Sequence, residues 1–244
     1  MHKPPATLFL LAALLAPLPQ AGAEILQQWT FDDAKPLHNL VIQGDAPKII
    51  SDPTDASNKV MLSFLKPGAK RPERSEVMPG VITVGQERWV GVRILRPNHV
   101  QNPFNCFFQL GPVDGAPGHS GGGLYQLNSY GKDTWAFRGY MERVGGKGFS
   151  IPMGIIRYGN WDKWVFHVKL RDDKTGLIEV WKNGALMTKQ TGQNAVPGDK
   201  MRIKWGVYVG KGSVVAAEIR ACYDDIKIGD ETSSYNEVAP KEHV

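Results

Sequence analysis

The sequence predicts an all-β protein, an antiparallel sandwich that forms a single domain. After the first 23 residues, short runs rich in β-branched and aromatic residues recur at close spacing, separated by glycine and proline. Helical periodicity is almost absent over the same part of the chain. Regularly spaced strands without intervening helices are typical of antiparallel sandwiches. The clearest predicted strands are 59–64, 88–94, 106–110, 163–170, 177–181, 201–209 and 224–229.

The connections between these strands have their own signals. Asn183-Gly184 follows the strand at 177–181, and Asn-Gly adopts positive φ at both turn positions, so we predict a tight hairpin there. The stretch 112–131 is rich in glycine, proline and serine and is predicted to be a long loop. Residues 24–231 then form the domain, and the polar tail 232–244 is expected to fray.

The N-terminal segment indicates the compartment. Lys3 precedes an apolar run at 8–15, and Ala21-Gly22-Ala23 forms an A-x-A site, which together predict a secretory signal peptide over residues 1–23. An uncleaved anchor is the alternative. No later segment approaches the ~20 apolar residues that a membrane helix needs. We therefore expect a secreted or periplasmic protein that has no membrane contact after cleavage.

Charge and cysteine content narrow the partners. The formal net charge of +5 favours anionic partners. Nucleic acid is not expected, because the chain has no dense Lys/Arg run and no nucleic-acid-binding motif; an acidic polysaccharide fits the exported compartment better. The two cysteines, Cys106 and Cys222, form either one disulfide or two buried thiols, and the sequence leaves both open.

Two distant segments place polar groups on one face of a sheet. Lys204 and Tyr208 are four residues apart in a predicted strand, with only Gly206 on the same face between them. Arg74 and Glu76 likewise share a face. Such a cluster on two strands is the pattern expected of a site built on the surface of a sheet.

Four segments occur in a characteristic order: WDKWVFHVK at 161–169, GLIEVWKNG at 176–184, KWGVY at 204–208 and YDDIKIG at 223–229. Their order and spacing resemble the heparin-lyase-I-like and glucuronan-lyase-like polysaccharide lyases, and Arg74-Ser75-Glu76-Val77 is similar to the arginine motif of related alginate lyases. The resemblance implies a jelly-roll sandwich of concanavalin-like type that cleaves a uronic acid polymer by β-elimination.

The resemblance also implies catalytic roles. Tyr208 is expected to be the general acid, and to act as base only if a nearby cation such as Lys204 lowers its pKa. His119, in a glycine-rich segment, is the substitute candidate for the base. The alternatives are a tyrosine packed at a sheet surface and a solvated loop histidine.

Substrate binding is predicted for residues on several strands. The resemblance implies that Gln109 binds the substrate carboxylate, and simple alternation puts Asn105 on the same face. The related alginate lyases have histidine two residues after this glutamine, whereas this chain has Gly111.

The remaining predicted binding residues lie on two other strands. Arg74 is predicted to bind a carboxylate with Glu76 orienting it, the alternative being a surface ion pair. Arg138 and Tyr140 share a face opposite Trp135 and are predicted to form a further sugar subsite.

The expected chemistry requires no cofactor. A structural calcium ion is one of two interpretations of the aspartates near the two ends of the domain. Asp224 near the end of the chain, together with Asp33 or Asp32 near its start, would supply the hard oxygen ligands that Ca²⁺ prefers. Plain turn formation is the alternative for these aspartates.

The sequence therefore predicts an exported, endo-acting lyase for an acidic polysaccharide, acting as a monomer. A non-catalytic lectin-like sandwich is the main alternative, since a fold does not imply an activity. A glycoside hydrolase is disfavoured, because no cluster of paired carboxylates of the E-x-D-x-E type is present.

Overall fold

The computed structural model confirms the predicted antiparallel β-sandwich and its single domain. It describes residues 22–68, 73–100, 105–114, 124–129, 133–141, 148–210 and 215–241. These residues form fifteen strands and one short helix. The strands are β1 (Ile25–Trp29), β2 (Val41–Gly44), β3 (Lys48–Ser51), β4 (Lys59–Leu65), β5 (Glu73–Thr83), β6 (Glu87–Leu95), β7 (Asn105–Pro112), β8 (Tyr125–Ser129), β9 (Thr134–Tyr140), β10 (Gly148–Ile155), β11 (Trp161–Lys169), β12 (Leu177–Lys182), β13 (Ala185–Thr191), β14 (Lys200–Val209) and β15 (Ile219–Gly229), and the helix is α1 (Tyr235–Val238).

The strands form two antiparallel sheets. The front sheet has seven strands in the order β10-β9-β8-β7-β14-β5-β2. The back sheet has eight, in the order β13-β12-β11-β6-β15-β4-β3 with β1 pairing on β15. Three strands that are far apart in sequence, β7, β14 and β5, are therefore neighbours in the front sheet.

Large aromatic side chains fill the space between the sheets. Phe108 of the front sheet stacks on Phe166 of the back sheet with ring centroids 3.9 Å apart. Trp135 and Trp164 meet edge to face at 5.6 Å, and both are fully buried. Burying such a side chain contributes about 1.5–3 kcal/mol. This packing fixes which face of the front sheet points outward and carries polar groups.

Local turn chemistry predicted one connection correctly and missed one strand. Asn183 and Gly184 join β12 to β13 with φ values of 50° and 87°, which confirms the predicted hairpin. The expected loop over 112–131 is wrong in part, because β8 lies within it. Its sequence YQLNS alternates apolar and polar residues, but the surrounding glycines and prolines obscured that signal.

Up to residue 241, the C-terminal tail packs onto the back sheet, so the prediction that it frays is wrong for this part. The backbone N–H of Ser234 donates to the Glu237 carboxylate at 2.6 Å, closing the first turn of α1. Val238 at the end of the helix is fully buried. A Cβ at Gly91 would lie 1.8 Å from the Val238 carbonyl oxygen, so the tail approaches the back sheet where β6 has no side chain.

The two cysteines are free thiols on different sheets. Cys106 lies on β7 and Cys222 on β15, and both are buried. Burial raises the pKa of the Cys222 thiol to about 12. We expect neither thiol to react with a neutral-pH thiol reagent in the folded protein and both to react in denaturant, since only the thiolate is nucleophilic. Rapid labelling of either thiol in the native protein would contradict this burial.

Among the residues that the structure describes, no helix has the length and apolar character needed to cross a membrane.

Candidate active site

The outer face of the front sheet brings the predicted polar residues together. Antiparallel pairing sets Tyr208 of β14 opposite Arg74 of β5, and Lys204 of β14 opposite Gln109 of β7. Glu76 of β5 lies opposite Gly206. Residues from three segments more than thirty positions apart in the chain therefore converge on one patch, as the sequence pattern predicts for a surface site.

Alternation on β14 explains why its polar residues face outward. Trp205 and Val207 are fully buried, and Trp205 packs edge to face on Trp29 at 5.6 Å. Gly206 lies between Lys204 and Tyr208 with φ of 137°, and a Cβ there would be 2.1 Å from the Ser75 carbonyl oxygen. Only glycine allows β14 and β5 to approach this closely, so position 206 has a structural requirement for it.

Tyr208 lies against a cation. The guanidinium carbon of Arg74 is 4.9 Å from the centroid of the Tyr208 ring, within cation–π range. Burial raises the pKa of Tyr208, while the positive charge of Arg74 opposes that rise. The phenol is therefore protonated near neutral pH, which suits a proton donor better than a base.

Glu76 is the buried carboxyl group of the site. It is 2% exposed and accepts a hydrogen bond from Gln109 Nε2 at 2.5 Å, while Arg74 lies 3.7 Å from its other carboxylate oxygen. Burial raises the pKa of Glu76, and the charges of Lys204 and Arg74 and the Gln109 hydrogen bond act against it. Glu76 thus orients both Gln109 and Arg74, as predicted for its pairing with the arginine.

The Lys204 side chain lies beside position 111. A Cβ at Gly111 would be 3.5 Å from Lys204 Cε and 3.7 Å from Lys204 Nζ, which is van der Waals contact. The ammonium donates to Gln43 Oε1 at 3.1 Å. Burial lowers the pKa of Lys204, although the negative charge of Glu76 opposes the shift. A lysine ammonium therefore neighbours the position at which the related alginate lyases have histidine.

The polar patch extends across β8 and β9. Gln126 Nε2 donates to Gln109 Oε1 at 3.3 Å, and Arg138 Nε donates to Gln126 Oε1 at 2.5 Å. Gln43 and Gln126 were not predicted from the sequence. The alternation of β8 was a usable signal for Gln126, but Gln43 joins the site only because β2 pairs with β5.

Asn105 does not share the environment predicted for it. The register between β7 and β8 shifts between Cys106 and Phe108, so strict alternation fails there. Phe107 and Phe108 both pack on core aromatic rings, of Trp135 and Phe166 respectively. Asn105 is fully buried and donates to Ser129 Oγ at 3.5 Å. The prediction that alternation places it beside Gln109 is therefore wrong.

The bulge also changes the position of Cys106. It pairs with Tyr208 on one side and Asn128 on the other. Burial raises the pKa of its thiol far above the usual range, and the charge of Glu76 adds to that effect. A thiol with such a raised pKa stays protonated, so Cys106 packs beneath the site and does not act as a nucleophile.

Two further predicted residues lie at the margins. Tyr140 is 46% exposed on the outer face of β9, where its ring covers Gly148 of β10. This position is consistent with sugar stacking. His119, the candidate base, lies outside the described residues, so its role stays a prediction.

The two aspartates proposed for calcium are engaged in other contacts. Asp224 accepts hydrogen bonds from Arg93 Nε at 3.1 Å and from Asn58 Nδ2 at 2.9 Å. Asp33 accepts from the Lys35 backbone N–H at 3.1 Å, in its own turn. Among the described residues, no group of three or more His, Cys, Asp or Glu is placed to hold a metal ion. Because a guanidinium already balances Asp224, this arrangement lends the calcium prediction no support.

A substitution at Arg74 tests the electrostatics of Tyr208. Because the guanidinium lowers the pKa of Tyr208 against the effect of burial, Arg74→Gln is expected to raise that pKa and to move the ionisation to higher pH. Ultraviolet titration of tyrosinate, with the Tyr208→Phe protein subtracted, measures the shift. Arg220→Gln, whose side chain is 49% exposed and pairs with Glu218, is the control. A Tyr208 titration that is unchanged or moves to lower pH would contradict the assigned contact.

Sequence comparison decides the family. The family profile described as Polysaccharide lyase matches residues 26–227. The chain belongs to the polysaccharide lyase family. The match includes every predicted site residue, and it confirms the prediction of a polysaccharide lyase. A search of curated protein sequences gives no match.

Solved structures of polysaccharide lyases share the fold. An endo-β-1,4-glucuronan lyase from the fungus Trichoderma reesei has a TM-score of 0.66 at 17% identity, covering 83% of this chain and 94% of its own. A marine alginate lyase from Aplysia kurodai has a TM-score of 0.60 at 9% identity, covering 84% and 99%. An alginate lyase from Pseudomonas aeruginosa has a TM-score of 0.55 at 15% identity, covering 78% and 87%. At such identities the likeness establishes the jelly-roll fold; the resemblance to heparin lyases stays a prediction.

Proposed function

We propose that this polysaccharide lyase cleaves a uronic-acid-containing polymer by β-elimination, in endo fashion and outside the cytoplasm. The observation that carries the proposal is the contact of Tyr208 with Arg74, next to the buried group of Glu76, Gln109 and Lys204. A proton donor and several carboxylate-binding groups thus lie on one sheet face. The similar folds of a glucuronan lyase and of alginate lyases support an acidic polymer as substrate.

The reaction requires three tasks of the site. A base removes the proton from C5 of the uronic acid, the electron pair forms a double bond between C4 and C5, and the C4–O bond breaks. The leaving oxygen takes up a proton. Negative charge grows on the uronate carboxylate during the first step, so cations and hydrogen-bond donors must stabilise it there.

The described residues account for two of these tasks. Gln109, Lys204 and Arg74 supply an amide donor, an ammonium and a guanidinium for the carboxylate. Tyr208, whose pKa is raised by burial, supplies the proton to the leaving oxygen. His119 remains our proposed base, and Arg138 with Tyr140 the proposed subsite for a neighbouring sugar.

Export and oligomeric state complete the proposal. The predicted signal peptide supports a secreted or periplasmic enzyme, where acidic polysaccharides are found. Because side chains can carry out acid–base β-elimination, we propose that the enzyme requires no cofactor, and we propose that it acts as a monomer.

Incubation with defined polymers tests the function. Purified protein is mixed with glucuronan, alginate, a heparin-type polysaccharide and a neutral glucan, and the ultraviolet absorbance of the conjugated double bond is followed. We expect unsaturated products from at least one uronate polymer, with a rapid fall in viscosity as endo cleavage requires, and none from the neutral glucan. Binding to acidic polymers without any unsaturated product would overturn the proposal.

A further inference from the structure

Three hydrogen bonds run in one direction across the front sheet. Arg138 donates to Gln126, Gln126 donates to Gln109, and Gln109 donates to Glu76, at 2.5, 3.3 and 2.5 Å. The last bond passes over β14, where the residue opposite Glu76 is Gly206, which has no side chain, and the residue opposite Gln109 is Lys204. We call these four residues the amide chain. It connects the predicted sugar subsite on β9 with the carboxylate-binding residues.

The ends of the amide chain fix the orientation of its middle. A guanidinium can only donate hydrogen bonds, and at the other end the Glu76 oxygen accepts one from Gln109. Both glutamines are therefore held with their oxygen atoms toward Arg138 and their NH2 groups toward Glu76. Hydrogen bonds in series polarise one another, which strengthens the donor character of each NH2 group.

Burial makes this arrangement costly to disturb. Gln109 is 5% exposed and Gln126 is 3% exposed, so bulk water does not readily replace a lost partner. Gln109 uses one N–H of its amide for Glu76 and retains a second. If its oxygen loses the bond from Gln126, the bond to Glu76 is the one side-chain hydrogen bond that the described residues still give this amide.

We propose that Gln126 is a positioning residue of the lyase: by holding the Gln109 oxygen, it keeps the second N–H of Gln109 directed at the uronate carboxylate. The inference rests on the proposed function. Gln126 acts through Gln109 and need not touch the substrate. Charge on that carboxylate grows in the transition state, so a misdirected donor lowers kcat more than it raises KM.

Two substitutions at position 126 distinguish a role in positioning Gln109 from a role in anchoring Arg138 alone. Gln126→Leu removes both bonds at similar volume and is expected to lower kcat by about 10-fold to 100-fold with KM within about threefold, the scale of a misplaced catalytic group. Gln126→Glu keeps an acceptor for Arg138 but cannot donate to Gln109, so an equal fall in kcat is expected. Wild-type kcat in Gln126→Glu would overturn the proposal, because Gln126 would then only anchor Arg138.

A double substitution supplies the second readout. In a Gln109→Ala background there is no amide to position, so adding Gln126→Leu is expected to lower kcat no further. A double variant in which the two fold-losses of kcat multiply would overturn the proposal. Gln190→Leu on β13, where the Gln190 side chain donates to Thr188 Oγ1 at 3.0 Å, is the matched control and should keep wild-type kcat. Circular dichroism and thermal melts show which variants are folded; should Gln126→Leu not fold, Gln126→Glu carries the test.

Failure of the inference is distinct from failure of the function. A wild-type protein that yields no unsaturated product from any polymer overturns both. A wild-type protein that is active, alongside Gln126 variants of equal kcat, overturns the positioning role alone.

Discussion

Tyr208→Phe is expected to lower kcat by about 10²–10⁴-fold, the contribution typical of a general acid. The substitution removes the phenol hydroxyl but keeps the ring, so the cation–π contact with Arg74 at 4.9 Å persists. The leaving oxygen then receives its proton only from water. Initial rates of double-bond formation on the best polymer substrate give kcat, and thermal melts confirm the fold.

The matched control for this prediction is Tyr158→Phe. The Tyr158 hydroxyl donates to Asp133 at 2.9 Å and lies 3.1 Å from His99 Nδ1. Neither partner belongs to the proposed site, so loss of this hydroxyl should leave kcat unchanged. A Tyr208→Phe enzyme with undiminished turnover would eliminate Tyr208 as the acid. The fold and the carboxylate-binding groups would be unaffected by that outcome.

Arg93→Met is expected to lower the free energy of unfolding by about 3–5 kcal/mol, because breaking a buried ion pair leaves charge uncompensated. Arg93 donates to both Asp224 and Asp52, whose side chains are 2% and 1% exposed. Its guanidinium also lies 4.4 Å from the centroid of the Trp161 ring. Methionine fills similar space but supplies neither the charge nor the donors.

The pH dependence of this deficit has a definite sign. Burial raises the pKa of Asp224; for Asp52 burial acts in the same direction, but hydrogen bonds from Thr54 and Asn58 and the charge of Arg93 lower its pKa overall. Without Arg93 both folded-state pKa values rise. The penalty is then full at pH values above both raised pKa values, where the carboxylates are charged, and shrinks as the pH falls through those values.

Urea unfolding at neutral and acidic pH measures both effects. Arg88→Met is the control, because Arg88 lies 4.0 Å from a Glu231 carboxylate that is 63% exposed. Such a pair contributes less than about 1 kcal/mol. Equal midpoints for Arg93→Met and the wild type would show that Asp52 and Asp224 do not depend on the guanidinium.

Local patterns predicted much of the fold and part of the site. The alternation of Lys204, Gly206 and Tyr208 depends only on the two-residue period of a strand, and the structure keeps it. The Asn183-Gly184 turn depends on the conformational freedom of two adjacent residues, and it too is confirmed. Both are properties of a few consecutive residues, which is why the sequence reveals them.

Pairing between strands that are distant in sequence determined the features that the sequence did not predict. Asn105 was misplaced because a bulge in β7 breaks the alternation, and a bulge depends on the partner strand. The contact of Asp224 with Arg93 joins residues 131 positions apart and forms through the β6–β15 register, so the sequence did not reveal it.

The sequence by itself determined the sandwich and the outward face of β14, because hydrophobic period and turn chemistry are local. Only the tertiary structure decided that Gln43 reaches Lys204 and that Gln126 joins Arg138 to Gln109. Those contacts require β2, β8 and β9 to take fixed places in the front sheet. Strand order is settled by packing across the whole domain, and no stretch of consecutive residues encodes it.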